Sequence, residues 1–148
     1  MKEKNKLYIS TLVIFWIIVA FFILATSGMY LSIYLHFLVY FVSLPSRVIL
    51  SLLGIALIVL AARARFTKIS KAFFILTGSA ELGFGLSIIL HNLVFALFIK
   101  LFGEGYWDRV NIGDEPVFFI LATIICPLAL LVGIIGSIIL IARKKVLS

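Results

Sequence analysis

Residues 72–99 read AFFILTGSAELGFGLSIILHNLVFALFI, twenty-eight positions with one formal charge, Glu81. A helix of that length rises about 42 Å, more than the roughly 30 Å of a bilayer's hydrocarbon core. A water-soluble helix would set a charged face against its apolar one, and this stretch has none. It predicts a transmembrane helix, and the rest of the chain agrees. Hydrophobic residues make up 64% of the 148 positions and charged residues 13%, with a mean hydropathy of +1.29. Soluble domains run nearer half apolar and about a quarter charged. These figures exclude a soluble enzyme, a nucleic-acid-binding domain and a disordered tail.

Working back from residue 72, the basic stretch RARFTKISK (63–71) is a connection, preceded by a second span at about 44–62. Ser43-Leu44-Pro45-Ser46 opens that span with proline in its first turn. Only fifteen uncharged residues separate Arg47 from Arg63, about 22 Å at helical rise. Arg47 is therefore expected to snorkel to the outer interface while its stem stays in apolar surroundings. Before it lies an uncharged run from Leu7 to Ser46. Its first part is a span at about 7–27, ending where Gly28 loosens the helix. Its second part, 29–42, is aromatic, with Tyr30, Tyr34, Tyr40, Phe37, Phe41 and His36. Tyrosines at that density belong at headgroup level, either as an interfacial helix or as a tilted extension of the first span. The lysine-rich start followed by an apolar run resembles a secretory signal. At about 18 residues that run exceeds the usual apolar region of a signal peptide, so an uncleaved signal-anchor is expected.

Working forward, residues 100–115 form an outer loop carrying Gly103, Gly105 and Gly113 among charges. Tyr106 and Trp107 are expected to anchor it at the interface. Pro116 opens a fourth span, 116–142, with Asp114 or Glu115 placed against its N-terminus. The expected fold is an all-α integral membrane protein, one transmembrane domain of four helices in an antiparallel bundle over residues 1–148. Charge sets its orientation. Lys2, Lys4, Lys6, Arg63, Arg65, Lys68, Lys71, Arg143, Lys144 and Lys145 are ten of the thirteen basic residues, and with Glu3 that side carries +9. The opposite side carries −1, from Arg47, Lys100 and Arg109 against Glu104, Asp108, Asp114 and Glu115. The positive-inside rule then places both termini in the cytoplasm. The net charge of +7 is a topology signal, with attraction to anionic lipid as a corollary, and not a nucleic-acid footprint.

Glu81 is the residue most open to a functional reading. It lies about 14 Å into its span by helical rise, where a charge costs at least about 2.5–3.5 kcal/mol and desolvation favours the neutral acid. Helical phase puts Glu81, Gly85, Ile88 and Asn92 on one stripe, and Ser79, Gly83, Ser87 and His91 on another nearly opposite. The third span is thus expected to be central in the bundle or shared between subunits. Glu81, with Asn92 beside it, reads as a proton or cation site, or else as a neutral acid donating a hydrogen bond between helices. Pro127 removes the bond to the Thr123 carbonyl and so offers it an acceptor. Ser79, Gly83, Ser87, Ala129, Gly133 and Ser137 are small-residue packing positions, and Cys126-Pro127 marks a kink. One cysteine permits no intramolecular disulfide, and Cys126 reads as a small apolar residue.

His36 and His91 lie toward the outer side and could ligate a haem iron. No spacing supports a cofactor or metal site, and none is expected. Catalytic constellations, phosphate-cradling loops and dinucleotide fingerprints are absent, so no enzymatic activity is expected. Three functions remain: a non-enzymatic subunit or accessory acting through helix packing, a homo-oligomeric proton- or cation-coupled transporter or channel using Glu81, and a haem- or metal-binding protein using His36 and His91. The expected partners are the lipid bilayer and either a second copy or another membrane protein. The expected location is the cell membrane, as a multi-pass protein.

Overall fold

The computed structural model describes residues 2–31, 44–112 and 115–143, with side chains at 6–24, 47–112 and 115–143. The described elements are all helical. They are α1 (Lys2–Leu31), α2 (Leu44–Arg63), α3 (Lys68–Phe102), a single turn α4 (Tyr106–Arg109) and α5 (Pro116–Ile120). A π-helical turn, Leu121–Ile125, joins α5 directly to α6 (Cys126–Ala142). Three stretches are long and apolar enough to cross a membrane, Lys6–Leu24, Lys68–Phe102 and Pro116–Ala142, consistent with an integral membrane protein. The outward faces carry Leu52, Leu93, Leu101, Val117 and Leu128, each more than half exposed. Acyl chains cover such a surface at no cost, whereas water does not.

The helices overrun the boundaries read from sequence. α1 continues past Gly28 to Leu31. Glycine costs a helix only about 1 kcal/mol against alanine, whereas backbone groups released into hydrocarbon cost several each. The aromatic segment 29–42 therefore begins as helix; its remainder, including His36, lies outside the described residues. α3 starts at Lys68 because Thr67 caps it, its hydroxyl oxygen accepting from the Ser70 N–H at 3.2 Å. It stops at Gly103, whose φ of +87° few other residues adopt and whose N–H donates to the Ile99 carbonyl at 2.8 Å. Its thirty-five residues span about 52 Å, so its ends stand beyond the hydrocarbon.

α3 is the hub. It packs along α2 on one side and along the α5–π–α6 rod on another, while α1 leans on α2. The apolar core gathers Phe15, Ile18, Leu57, Ala61, Phe74, Leu130 and Ile134 from all four long segments. Phe15 meets Phe74 edge-on at 5.2 Å. Phe66, from the α2–α3 turn, fills the gap between Tyr8 at 5.5 Å and Phe74 at 4.9 Å.

Candidate functional site

The α2–α3 crossing is built from residues without bulk. A β-carbon placed on Gly54 would lie 2.6 Å from the Gly78 carbonyl oxygen, and one on Gly78 would lie 2.6 Å from the Gly54 carbonyl oxygen. Two turns along α3, Gly85 admits the Ser51 side chain, whose hydroxyl donates back to the Arg47 carbonyl at 2.9 Å. Glu81 sits between these two contacts. Its β-carbon would lie 3.2 Å from one built on Gly54, and the residue is 5% exposed. The Glu81 carboxyl thus belongs to the α2 interface, where Arg47 stands two turns from Gly54. Arg47 is half-buried at this crossing. Its guanidinium lies 4.6 Å above the Phe84 ring, and its charge and that of Glu81 act on one another. An aromatic face covers the half-buried guanidinium in place of water.

The opposite side of α3 receives the C-terminal rod. Phe73 packs over Gly136. A β-carbon on Gly133 would come 2.5 Å from the Thr77 hydroxyl oxygen and 2.9 Å from its backbone nitrogen. Farther along, Gly83 leaves room for the Cys126 sulfur, 3.2 Å from where its β-carbon would stand, and the Ser87 hydroxyl faces the same thiol. Side chains from α2 and from α6 thus meet the middle of α3 on its two sides. Ala129 packs against the core, and Ser137 is fully buried.

Two residues expected in these stripes are elsewhere. Ser79 is exposed: steps of four residues overshoot a helical turn by about 40° each, and from Ser79 to His91 that accumulates to a third of a circle. Asn92 is exposed as well and donates to the Ile88 carbonyl at 2.7 Å. The α2 register, with Arg47 beside Gly85, runs out at Leu44, before the level of Asn92. Asn92 is therefore not part of the Glu81 environment.

The Thr123 carbonyl does not serve as the acceptor for Glu81. Gly83 pairs with Cys126, so Thr123 lies about a turn nearer the α5 end, and its side chain faces outward, bonded to the Phe119 carbonyl at 2.7 Å. The disturbance around Pro127 takes the form of a π-turn, with the Cys126 N–H donating to the Leu121 carbonyl. The extra residue absorbs strain that proline imposes on the preceding turn.

At the α5 end, Glu115 is buried and caps the helix with both oxygens, which accept from Val117 N–H at 2.8 Å and Phe118 N–H at 2.9 Å. Its second oxygen also lies 3.4 Å from His91 Nδ1. His91 is thus committed to a carboxylate and to the Phe95 and Phe119 rings. Among the described residues no three His, Cys, Asp or Glu side chains could hold one metal ion. Gly103 and Gly105 turn the chain so that α4 folds back on α3. Trp107 stacks on Phe95 at 5.7 Å and donates its indole N–H to the Phe95 carbonyl at 3.4 Å. Trp107 therefore faces inward, where the sequence suggested an anchor pointing at the interface. Arg109 donates to the Phe102 carbonyl at 2.6 Å, a cation on an α3 carbonyl left open at the helix end.

Of the residues singled out from sequence, Glu81, Ser87, Gly133 and Ser137 are buried, while Gly54, which packs against Glu81, and Arg47 over the neighbouring Phe84 were missed. A lone glycine within an apolar helix was the available signal for Gly54. Comparison with protein-family models, curated proteins and solved structures gives no match to this chain.

Proposed function

We propose that this chain is a four-span protein of the cell membrane, an antiparallel up-down bundle with both termini in the cytoplasm, acting as a non-enzymatic subunit or accessory through helix packing. Support for the bundle comes from contact order. Rising numbers on α2 meet falling numbers on α3, and Gly133 and Gly136 meet Thr77 and Phe73 where Cys126 meets Gly83. Single cysteines introduced in a Cys126→Ala background test the topology. Substitutions at Lys6, Arg65 and Arg143 should label only from the cytoplasm, and one at Gly105 only from outside.

The observation that carries the packing role is the backbone contact of Gly54 with Gly78, one turn from Glu81. It leaves no room for water between α2 and α3 beside the one carboxyl that a transport mechanism would use. A second reading, a homo-oligomeric proton- or cation-coupled transporter or channel, draws on the burial of Glu81 midway along α3, with the Arg47 guanidinium over the ring of nearby Phe84. Arg47 weighs against the cation version, since a fixed positive charge repels what the carboxylate would attract. Purified protein in vesicles separates the two. The packing role predicts no proton or cation flux above empty vesicles and a stoichiometric protein partner by native mass spectrometry, retained in Glu81→Gln. Flux abolished by Glu81→Gln would establish transport instead.

A further inference from the structure

The turn between α2 and α3 alternates its side chains with unusual regularity. Arg63 is exposed, Ala64 buried, Arg65 exposed, Phe66 buried, and Lys68 and Ile69 exposed. Ala64 and Phe66 are the fasteners, Phe66 against Tyr8 and Phe74. Lys71 adds a clamp by donating from Nζ to the Ala62 carbonyl at 2.9 Å. The exposed cations are thus carried on a braced turn whose ordering cost is already met by folding.

Two further cations share this end. Tyr8 touches Phe66, which brings Lys6 alongside. Gly136 meets Phe73, so Arg143, two turns on, reaches the level of the turn itself. Lys6 and Arg143 are both exposed. Glu81, Glu104, Asp108 and Glu115 all belong to the middle or the opposite end of α3 and its neighbours, and against the basic residues of this end the sequence sets Glu3. Ile69 is 62% exposed amid these charges, an apolar side chain beside cations on the first turn of a membrane-length helix.

We propose that this turn docks the headgroups of anionic phospholipids, with Arg63, Arg65 and Lys68 meeting the phosphates and Ile69 entering the boundary of the acyl chains. Guanidinium groups suit phosphate oxygens through paired N–H donors. The outward apolar faces of α2 and α3 continue from the turn and accommodate the acyl chains of the same lipid. Topology alone requires only that positive charge be on this side. The braced turn adds a fixed geometry, and so predicts selectivity for headgroup charge whichever way the protein is oriented.

The test is native mass spectrometry of the full chain in mixed micelles of detergent with phosphatidylglycerol or phosphatidylcholine. Phosphatidylglycerol should be retained in preference, with apparent affinity falling about fivefold for each cation removed in Arg63→Gln, Arg65→Gln and Lys68→Gln. Lys100→Gln, at the other end of α3, should leave the preference unchanged. Equal retention of the two lipids by the wild-type chain, or a preference that survives the triple variant, overturns the proposal. If circular dichroism finds the triple variant unfolded, a photoactivatable phosphatidylglycerol on the wild-type chain decides the matter. Crosslinks within residues 63–69 support the site, and crosslinks confined to other segments overturn it.

Discussion

Gly54 and Gly78 each place a backbone carbonyl where the other's β-carbon would be, at 2.6 Å in both directions. Because both obstacles are main chain, neither can step aside by changing rotamer. Gly54→Ala and Gly78→Ala should each force α2 from α3 and cost about 1–3 kcal/mol, the usual range for overpacking. Leu52→Ala, on the outward face of α2, should stay within about 0.5 kcal/mol. Reversible unfolding in mixed detergent measures both, and equal losses at Gly54 and Leu52 would remove the crossing as a source of stability.

The same crossing explains what the sequence disclosed and what it withheld. Helical class and the approximate extents of α3 and the C-terminal rod were legible, because apolar length against bilayer thickness is a one-dimensional property. Three of these helices are long and apolar enough to cross a membrane. Burial of Glu81 and Ser87 was legible from helical phase. The surroundings of Glu81 were not: Arg47 stands thirty-four positions away and comes over Phe84, within range of the Glu81 charge, only through the α2–α3 register. That register depends on Gly54, Ser51 and Gly85 interlocking, which no single helix reveals. Ser79 and Asn92 were misplaced for the complementary reason, a stripe extrapolated past the point where its neighbour turns away or ends.

Arg47 and Glu81 should prove energetically coupled. Removing one partner of a charge pair withdrawn from water leaves the other uncompensated, while removing both can be nearly neutral. Arg47→Gln and Glu81→Gln are each expected to destabilise more than the double variant does relative to either single one. The interaction energy should be of order 1–2 kcal/mol, a modest figure because Arg47 is only half-buried. A double-mutant cycle on unfolding free energies gives it directly, and strict additivity would mean that the two charges do not sense each other.

Glu115 joins three roles in one carboxylate: two bonds to the first turn of α5 and a contact with His91. Glu115→Ala should cost about 1 kcal/mol through the cap alone, and more once the His91 contact is lost. Glu115→Gln keeps one acceptor oxygen and should recover part of the loss. Hydrogen exchange at the Val117 and Phe118 amides reports the cap locally. Protection unchanged in Glu115→Ala would show that these N–H groups have other acceptors.

The two tryptophans offer a test of the α4 cap against the outward apolar surface. Trp16 is 46% exposed on α1 and Trp107 is 8% exposed beneath α4. Trp107→Phe leaves Trp16 as the sole indole, and Trp16→Phe leaves Trp107. In bilayers containing brominated lipid, Trp16 emission should be strongly quenched, since bromine on an acyl chain can touch an outward indole. Trp107 should be quenched weakly, because Phe95 stacks on its face at 5.7 Å and Phe98 and Tyr106 pack around it at 5.3 and 5.2 Å. Phe95→Ala opens that face and should raise Trp107 quenching toward the Trp16 value. It should also destabilise the protein by about 3–5 kcal/mol if the cluster is as closely packed as a core. Strong quenching of Trp107 in the unaltered cluster would mean that α4 does not hold its indole against α3, and that the segment after α3 presents Trp107 to lipid after all.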